Sequence, residues 1–356
     1  MKRLSCVVAA VLAAMLAAPA LAQEEAAPAG AGKDIVLLKS GQQKLNVNVT
    51  DEAYDTVKIN GEATPAADIE SIKHGDTPPK YMQADSNFRQ FQLENAIKNF
   101  DEAKKAQARP WLKHYCDYYI GRCYQLLAEG ASGPEAVKSA TQSINQFTAL
   151  IRDNPKGFWI PSAMFYMGQC YYNLDDFKNA LTVYQQVERA NMGPMWTLKA
   201  QLWEGKIMAK DKTQADAAVA ALTKVADAAK EKYADIYNDA EIALAEAYIS
   251  GQKYKEAEDL LKKLLESSDK DEVRAAVHNT LGDSYWAQNK VKEARLEFLR
   301  TNVLYFKAKA EDARALFRAA ECFEALKDKE RADKLREELK QTYPDSIWAR
   351  KLPPRG

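Results

Sequence analysis

The sequence predicts a mainly α-helical fold, a solenoid of helix–turn–helix hairpins preceded by a small β module, on three observations. A set of small and aromatic residues recurs at a nearly fixed interval. The apolar residues within each copy follow a 3.6-residue period, whereas a short segment ahead of them follows a period of two. The clearest copy runs from Ala276 to Phe306. There Leu281 and Tyr285 share one helix face, Ala294, Phe298 and Thr301 share a face of the next helix, and Gln288, Asn289 and Lys290 form a polar turn. Gly282 and Ala294 carry so little bulk that the two axes can approach closely, with Tyr285 and Phe298 filling the space beside them.

The same order recurs as Met167, Gly168, Tyr171, Ala180 and Tyr184, as Leu244, Ala245, Tyr248, Ala257 and Leu261, and more loosely as Ala319, Ala320, Phe323, Ala332 and Arg336. A weaker copy has Gly205, Met208 and Ala217. The marker alanines Ala180, Ala217, Ala257, Ala294 and Ala332 then fall 37, 40, 37 and 38 residues apart. Two further copies come first, one with Ile120, Gly121, Tyr124, Phe147 and Leu150, the other closed by Ala96, Phe100 and Ala103. A fixed period means a stack, and a stack buries its faces between neighbours. About seven hairpins are expected over residues 80–352, and that span need not divide into globules.

These residues resemble the tetratricopeptide repeat family, whose unit pairs a Leu-Gly and Tyr helix with an Ala, Phe and Ala helix. The resemblance covers residues 81–349, and it implies a right-handed superhelix that binds protein or peptide partners without catalysis. The family unit is 34 residues. The copies here are longer, and the family's closing proline is clear only at Pro155 and Pro344. The joins Asp153–Ser162 and Asn191–Trp196, proline-marked and next to an aromatic, are similar to the bacterial envelope type of the repeat, found among periplasmic assembly proteins.

From the amino terminus, Lys2 and Arg3 precede an apolar run from Leu4 to Ala18, and Ala20-Leu21-Ala22 has the small-x-small form of a secretory cleavage site. A signal peptide over 1–22, cut after Ala22, and a periplasmic or secreted protein are the expectation. The competing reading, an uncleaved anchor, asks for about 20 apolar residues. Residues 23–33 read as a flexible leader of Ala, Glu, Pro and Gly.

Over 34–76 the pattern turns strand-like. Ile35 to Leu38 is a short apolar run, Leu45, Val47 and Val49 alternate with polar residues, and Val57-Lys58-Ile59 ends at the hairpin signal Asn60-Gly61. This order is similar to small SH3-like or Sm-like β modules. Its core is thin, so it is expected to dock on the first repeat or on a partner. Thr77-Pro78-Pro79 marks the boundary, and the first hairpin begins near Lys80. Gly130-Ala131-Ser132-Gly133-Pro134 reads as an enlarged turn in the second hairpin. Ile347-Trp348 reads as a short closing helix stopped by Pro353-Pro354.

Charge is balanced at 50 basic and 50 acidic residues, or 48 against 50 after loss of Lys2 and Arg3, so nothing favours a nucleic-acid partner. Cys116, Cys123, Cys170 and Cys322 remain in the mature chain. Cys123, Cys170 and Cys322 each fall one residue before a marker aromatic, a slot filled elsewhere by Ile207, Ala247 and Ser284, so they read as free, buried and structural. Cys116 and Cys123, two helical turns apart, lie about 10 Å from each other, beyond disulfide reach. His74, His114 and His278 have no metal-ligand spacing. No phosphate loop, nucleophile elbow or His-Glu-x-x-His helix occurs. Glu256, Glu258, Asp259 and Glu293 lie among lysines as on a solvated face. No enzyme, cofactor or metal is expected.

The family resemblance places the partner groove on the first helices. Carried over, it selects Tyr118, Arg122 and Gln125, then Phe165, Gln169 and Tyr172, then Leu202 and Lys206. Asn279, Asp283 and Trp286 follow, with Phe317 and Glu321. Aromatics among charges suit an extended peptide or a helix. Some of these aromatics could instead pack on the preceding hairpin. The competing assignment is a cell-wall or envelope-assembly accessory protein whose β module carries the binding.

Overall fold

Six short strands are followed by seven helical hairpins and a closing helical turn among the residues described. The computed structural model describes residues 34–106, 110–131, 133–344 and 346–352. The expected signal peptide, the leader, Ser132 and Pro353-Pro354 lie outside these residues. The described chain divides into two compact units, one of residues 34–128 with 133–197 and the other of 129–132 with 198–352.

In the first unit, β1 (Asp34–Leu38), β2 (Gln43–Val47) and β6 (Ile69–Lys73) form one antiparallel sheet with β1 central. The second sheet is β3 (Val49–Glu52), β4 (Thr56–Ile59) and β5 (Glu62–Pro65) with β4 central. Asn60 and Gly61 both take positive φ and close a two-residue hairpin, as the Asn-Gly signal predicts. Leu45 departs from the alternation. It is exposed while Val47 and Val49 are buried, because Asn46 at φ 55° rotates the strand between them. The core is Val36, Val47, Val49, Val57, Ile59 and Ile69, with Phe158 from the helical part packed against it.

The first hairpin is α1 (Pro79–Arg89) and α2 (Leu93–Ala103), and the second is α3 (Trp111–Gly130) and α4 (Gly133–Asp153). The expected enlarged turn is largely helical instead. Gly130 closes α3 at 20 residues, and Gly133-Pro134 opens α4, which runs to 21. Then come α5 (Ile160–Asn173) with α6 (Phe177–Arg189), and α7 (Pro194–Met208) with α8 (Ala215–Ala229). Pro79 and Pro194 stand first in their helices and Pro161 second, where the missing N–H breaks no helical bond. The remaining helices are α9 (Ala234–Ser250), α10 (Tyr254–Ser267), α11 (Asp271–Ala287), α12 (Val291–Leu304), α13 (Lys309–Ala325), α14 (Lys329–Thr342) and α15 (Ile347–Arg350).

Each hairpin closes over a small residue of its first helix. A Cβ on Gly168 would lie 2.6 Å from Tyr184, on Gly205 2.6 Å from Leu222, and on Gly282 2.6 Å from Phe298. In the second hairpin Ser143 takes the marker-alanine place and donates to the Gly121 carbonyl at 2.9 Å, while Phe147 covers Gly121. The fourth hairpin corrects the sequence register. Ala217 is exposed, and Ala218 is the buried residue one turn before Leu222. The 3-10 turn Lys212–Gln214 inserts the extra residue. The buried positions 180, 218, 257, 294 and 332 are 38, 39, 37 and 38 apart, a more even spacing than the one through Ala217.

Five hairpin turns share one backbone design. Phe91, Asp175, Gln252, Asn289 and Lys327 take φ between 57° and 62°, and the next N–H returns to a carbonyl five residues back. In four of them the acceptor is the marker aromatic itself, Tyr171, Tyr248, Tyr285 or Phe323. These are Schellman closures without glycine. Gly251 sits one residue early at φ −80°, leaving the left-handed position to Gln252.

Two outcomes follow from this geometry. Gly282→Ala gains about 1 kcal/mol of helix propensity but forces a methyl into the fully buried Phe298 ring, at a cost of about 1–3 kcal/mol. We expect a net loss of about 1 kcal/mol in urea unfolding, part of it recovered in Gly282→Ala/Phe298→Leu. Unchanged or raised stability in the single variant would refute the close approach. Lys327→Gly relieves a left-handed residue on an exposed turn and should stabilise by roughly 0.5–1 kcal/mol. A lowered melting temperature would contradict the turn assignment.

Candidate functional site

In the first unit the expected groove residues divide between packing and surface. Tyr118 is 5% exposed. Its ring stacks on Trp159 at 4.3 Å, and its hydroxyl lies 2.7 Å from Ser162 Oγ at the start of α5. Burial raises the pKa of this phenol far above its ordinary value. Gln125, 2% exposed, accepts from the Arg122 guanidinium, which lies 3.4 Å above the centre of the Tyr166 ring. Tyr118 and Gln125 are thus withdrawn from the surface, Tyr118 against the start of α5 and Gln125 beneath Arg122. Arg122, Phe165, Gln169 and Tyr172 remain half-exposed. Phe165 leans towards Trp196 at 6.0 Å, and Tyr172 meets Phe177 edge-on at 5.4 Å.

The second unit repeats this design with charges. Asn279 is fully buried, its amide donating to the Glu311 carbonyl at 2.9 Å and to Glu311 Oε2 at 2.7 Å. It is also removed from the exposed set. Asp283 receives two guanidiniums, Arg314 on one oxygen and Arg318 Nε on the other at 3.0 Å. Arg318 also pairs with Glu321 and lies 4.9 Å over the Trp286 ring. Burial opposes the Arg314 charge, but Asp283, Glu311 and Glu246 outweigh it and hold the guanidinium above its ordinary pKa. Leu202 is buried, and Phe317 packs 5.3 Å from Trp348 of α15.

A shallow cleft in this unit is lined by Lys206, Ala209, Lys210, Glu246, Ile249, Asp283 and Arg314. Lys206 and Asp283 are residues that the sequence selects; Glu246 and Arg314 in this cleft, and Arg318 on Asp283, are not, although the sequence holds a signal for the arginines. Arg314 and Arg318 stand one helical turn apart, about one repeat after Asp283, as a pair poised to meet its carboxylate would.

The other titratable clusters read as structural. The four cysteines among the described residues are free and buried, and burial pushes the Cys116, Cys123 and Cys322 thiols up to about 12. His278 pairs with Glu297 at 2.7 Å, and His114 Nδ1 meets the Asn154 amide at 2.9 Å. Asp34, His74 and Asp76, distant in sequence, converge so that one ligand atom of each lies within 4.8 Å of the others. Protein donors already use these carboxylates. Asp34 accepts from Val49 N and Gly75 N, both at 2.9 Å, and Asp76 accepts from Trp111 Nε1 at 3.0 Å. These bonds hold the two carboxylates in place beside the imidazole.

Models of the tetratricopeptide repeat match residues 162–190, 242–302 and 314–346. No curated protein matches the chain. Among solved structures, a tetratricopeptide repeat protein from Parabacteroides merdae is 13% identical with a TM-score of 0.54, over 74% of this chain and 92% of that one. The apo form of the quorum sensor NprR from B. thuringiensis is 16% identical with a TM-score of 0.53, over 74% of each chain. At these identities the likeness is one of fold. The matched segments carry tetratricopeptide repeats, and the helical part as a whole has the hairpin-solenoid fold seen in such arrays.

Proposed function

We propose that the protein is an exported, non-enzymatic scaffold of a bacterial envelope that holds a protein or peptide partner against the first helices of its repeats. The observation that carries this reading is the cleft of the second unit, where Lys206 and Lys210 face Glu246 and Asp283 around Ile249, with Trp286 nearby on α11. Both charge signs and an apolar floor suit a polypeptide better than a small apolar ligand. Half-exposed Arg122, Phe165, Gln169 and Tyr172 offer the first unit a comparable face. Export rests on Lys2-Arg3, the apolar run to Ala18 and Ala20-Leu21-Ala22. No helix among the described residues is long and apolar enough to cross a membrane.

The test is capture of partners from envelope extract by the intact protein and by the combined variant Lys206→Glu/Trp286→Ala. Loss of about tenfold or more in recovered partner is expected, with helicity retained at the assay temperature. Equal recovery by both proteins would sink the groove assignment. A chain lacking 34–77 that loses every partner would transfer the binding to the β module, for which an SH3-like or Sm-like surface is the competing proposal.

A further inference from the structure

We propose that His74 is a pH-sensitive clasp: its protonated imidazole holds the β module against the helices of the first unit, and its neutral form loosens that attachment. The ring lies at the junction itself. Nδ1 is 3.7 Å from Asp34 Oδ1 of β1 and Nε2 is 3.3 Å from Glu52 Oε1 of β3, and the imidazole is 3% exposed. On the helical side Trp111 stacks on it at 4.0 Å, with planes 17° apart, and Tyr115 meets it edge-on at 5.4 Å. A charged imidazole gains from the Trp111 face as well as from the two carboxylates.

The same residues tie the module down. Glu52 Oε2 accepts from the Tyr115 hydroxyl at 2.6 Å, and its carbonyl accepts from Phe158 N at 2.9 Å. Asp76, just after β6, accepts from Trp111 Nε1. The attachment of Tyr54 N to the Lys156 carbonyl at 2.9 Å does not involve His74. Deprotonation would therefore leave buried Asp34 and nearby Glu52 facing each other across a neutral ring, without separating the module completely.

Among the described residues, the groups facing the imidazole include Asp34 from β1, Glu52 from β3, Asp76 beyond β6, and Trp111 and Tyr115 from α3. His114 on α3 and Tyr81 on α1 both lie close enough to feel Glu52. Burial pulls the His74 pKa down, but the neighbouring carboxylates of Asp34 and Glu52 outweigh it and raise the pKa above 6.5. His114 moves the opposite way, pushed down by burial and by Lys113. For a raised folded-state pKa, the stabilisation is fully present below the free imidazole value of about 6.5. It is lost as pH rises through the raised value.

The experiment measures amide hydrogen exchange of the intact protein between pH 6 and pH 8.5, expressed as protection relative to the intrinsic rate. Protection of Val36, Val57 and Ile59 should fall as pH rises, by no more than about tenfold per pH unit for the one proton released, while Leu261 and Phe298 in the second unit stay level. His74→Gln should abolish the step, and Glu52→Gln should move its midpoint to lower pH. Protection that does not change with pH in the wild type, or a step surviving in His74→Gln, overturns the clasp. Should His74→Gln fail to fold, a midpoint unmoved in Glu52→Gln overturns it instead.

Discussion

At Gly168, Gly205 and Gly282 a ring or branched side chain from the second helix occupies the volume that a Cβ would need, about 2.6 Å from where it would sit. This contact fixes the spacing of the two helices in a hairpin, and with it the positions of the other small buried residues. Where the first-helix residue is Ala245, the covering side chain is Leu261. At the equivalent place of the last hairpin, Arg336 pairs with Glu324 and Asp333. The slot before the marker aromatic also holds small residues: Cys123, Cys170, Ala247, Ser284 and Cys322 are all buried.

The turns depend on this closure. With the axes held close, the chain has three residues in which to reverse, and the left-handed residue in the middle lets the next N–H reach the marker aromatic's carbonyl. One aromatic residue then packs the hairpin with its side chain and caps the helix with its backbone. Substituting it would disturb packing more than capping, since any residue supplies the carbonyl.

Between successive first helices the chain adds polar contacts to apolar ones. Asp283 with Arg314 and Arg318, Asn279 with Glu311, and Arg122 over Tyr166 each join one first helix to the next. Such pairs cost desolvation and add less stability than apolar contacts would, but they define register between otherwise similar surfaces. They also leave a face with both charges on it, and that face can serve a partner. Elsewhere in the first unit, Glu52 and His74 fix the small β module to α3, which compensates for its thin core.

The hairpins and the small-over-large pairing were legible in the order of residues alone, because they depend on volume and period, which are local and repeated. The Asn60-Gly61 turn and the helix-opening prolines were readable for the same reason. The place of Ala218, the exposure of Leu45 and the burial of Tyr118, Gln125 and Asn279 emerge only in three dimensions. A single inserted or left-handed residue rotates everything after it, and a first-helix side chain is claimed by its neighbour before solvent. The meeting of Asp34, Glu52 and His74 with Trp111 belongs to the same class. Residues so far apart in the chain come together only when the module docks, and no spacing along the chain records that.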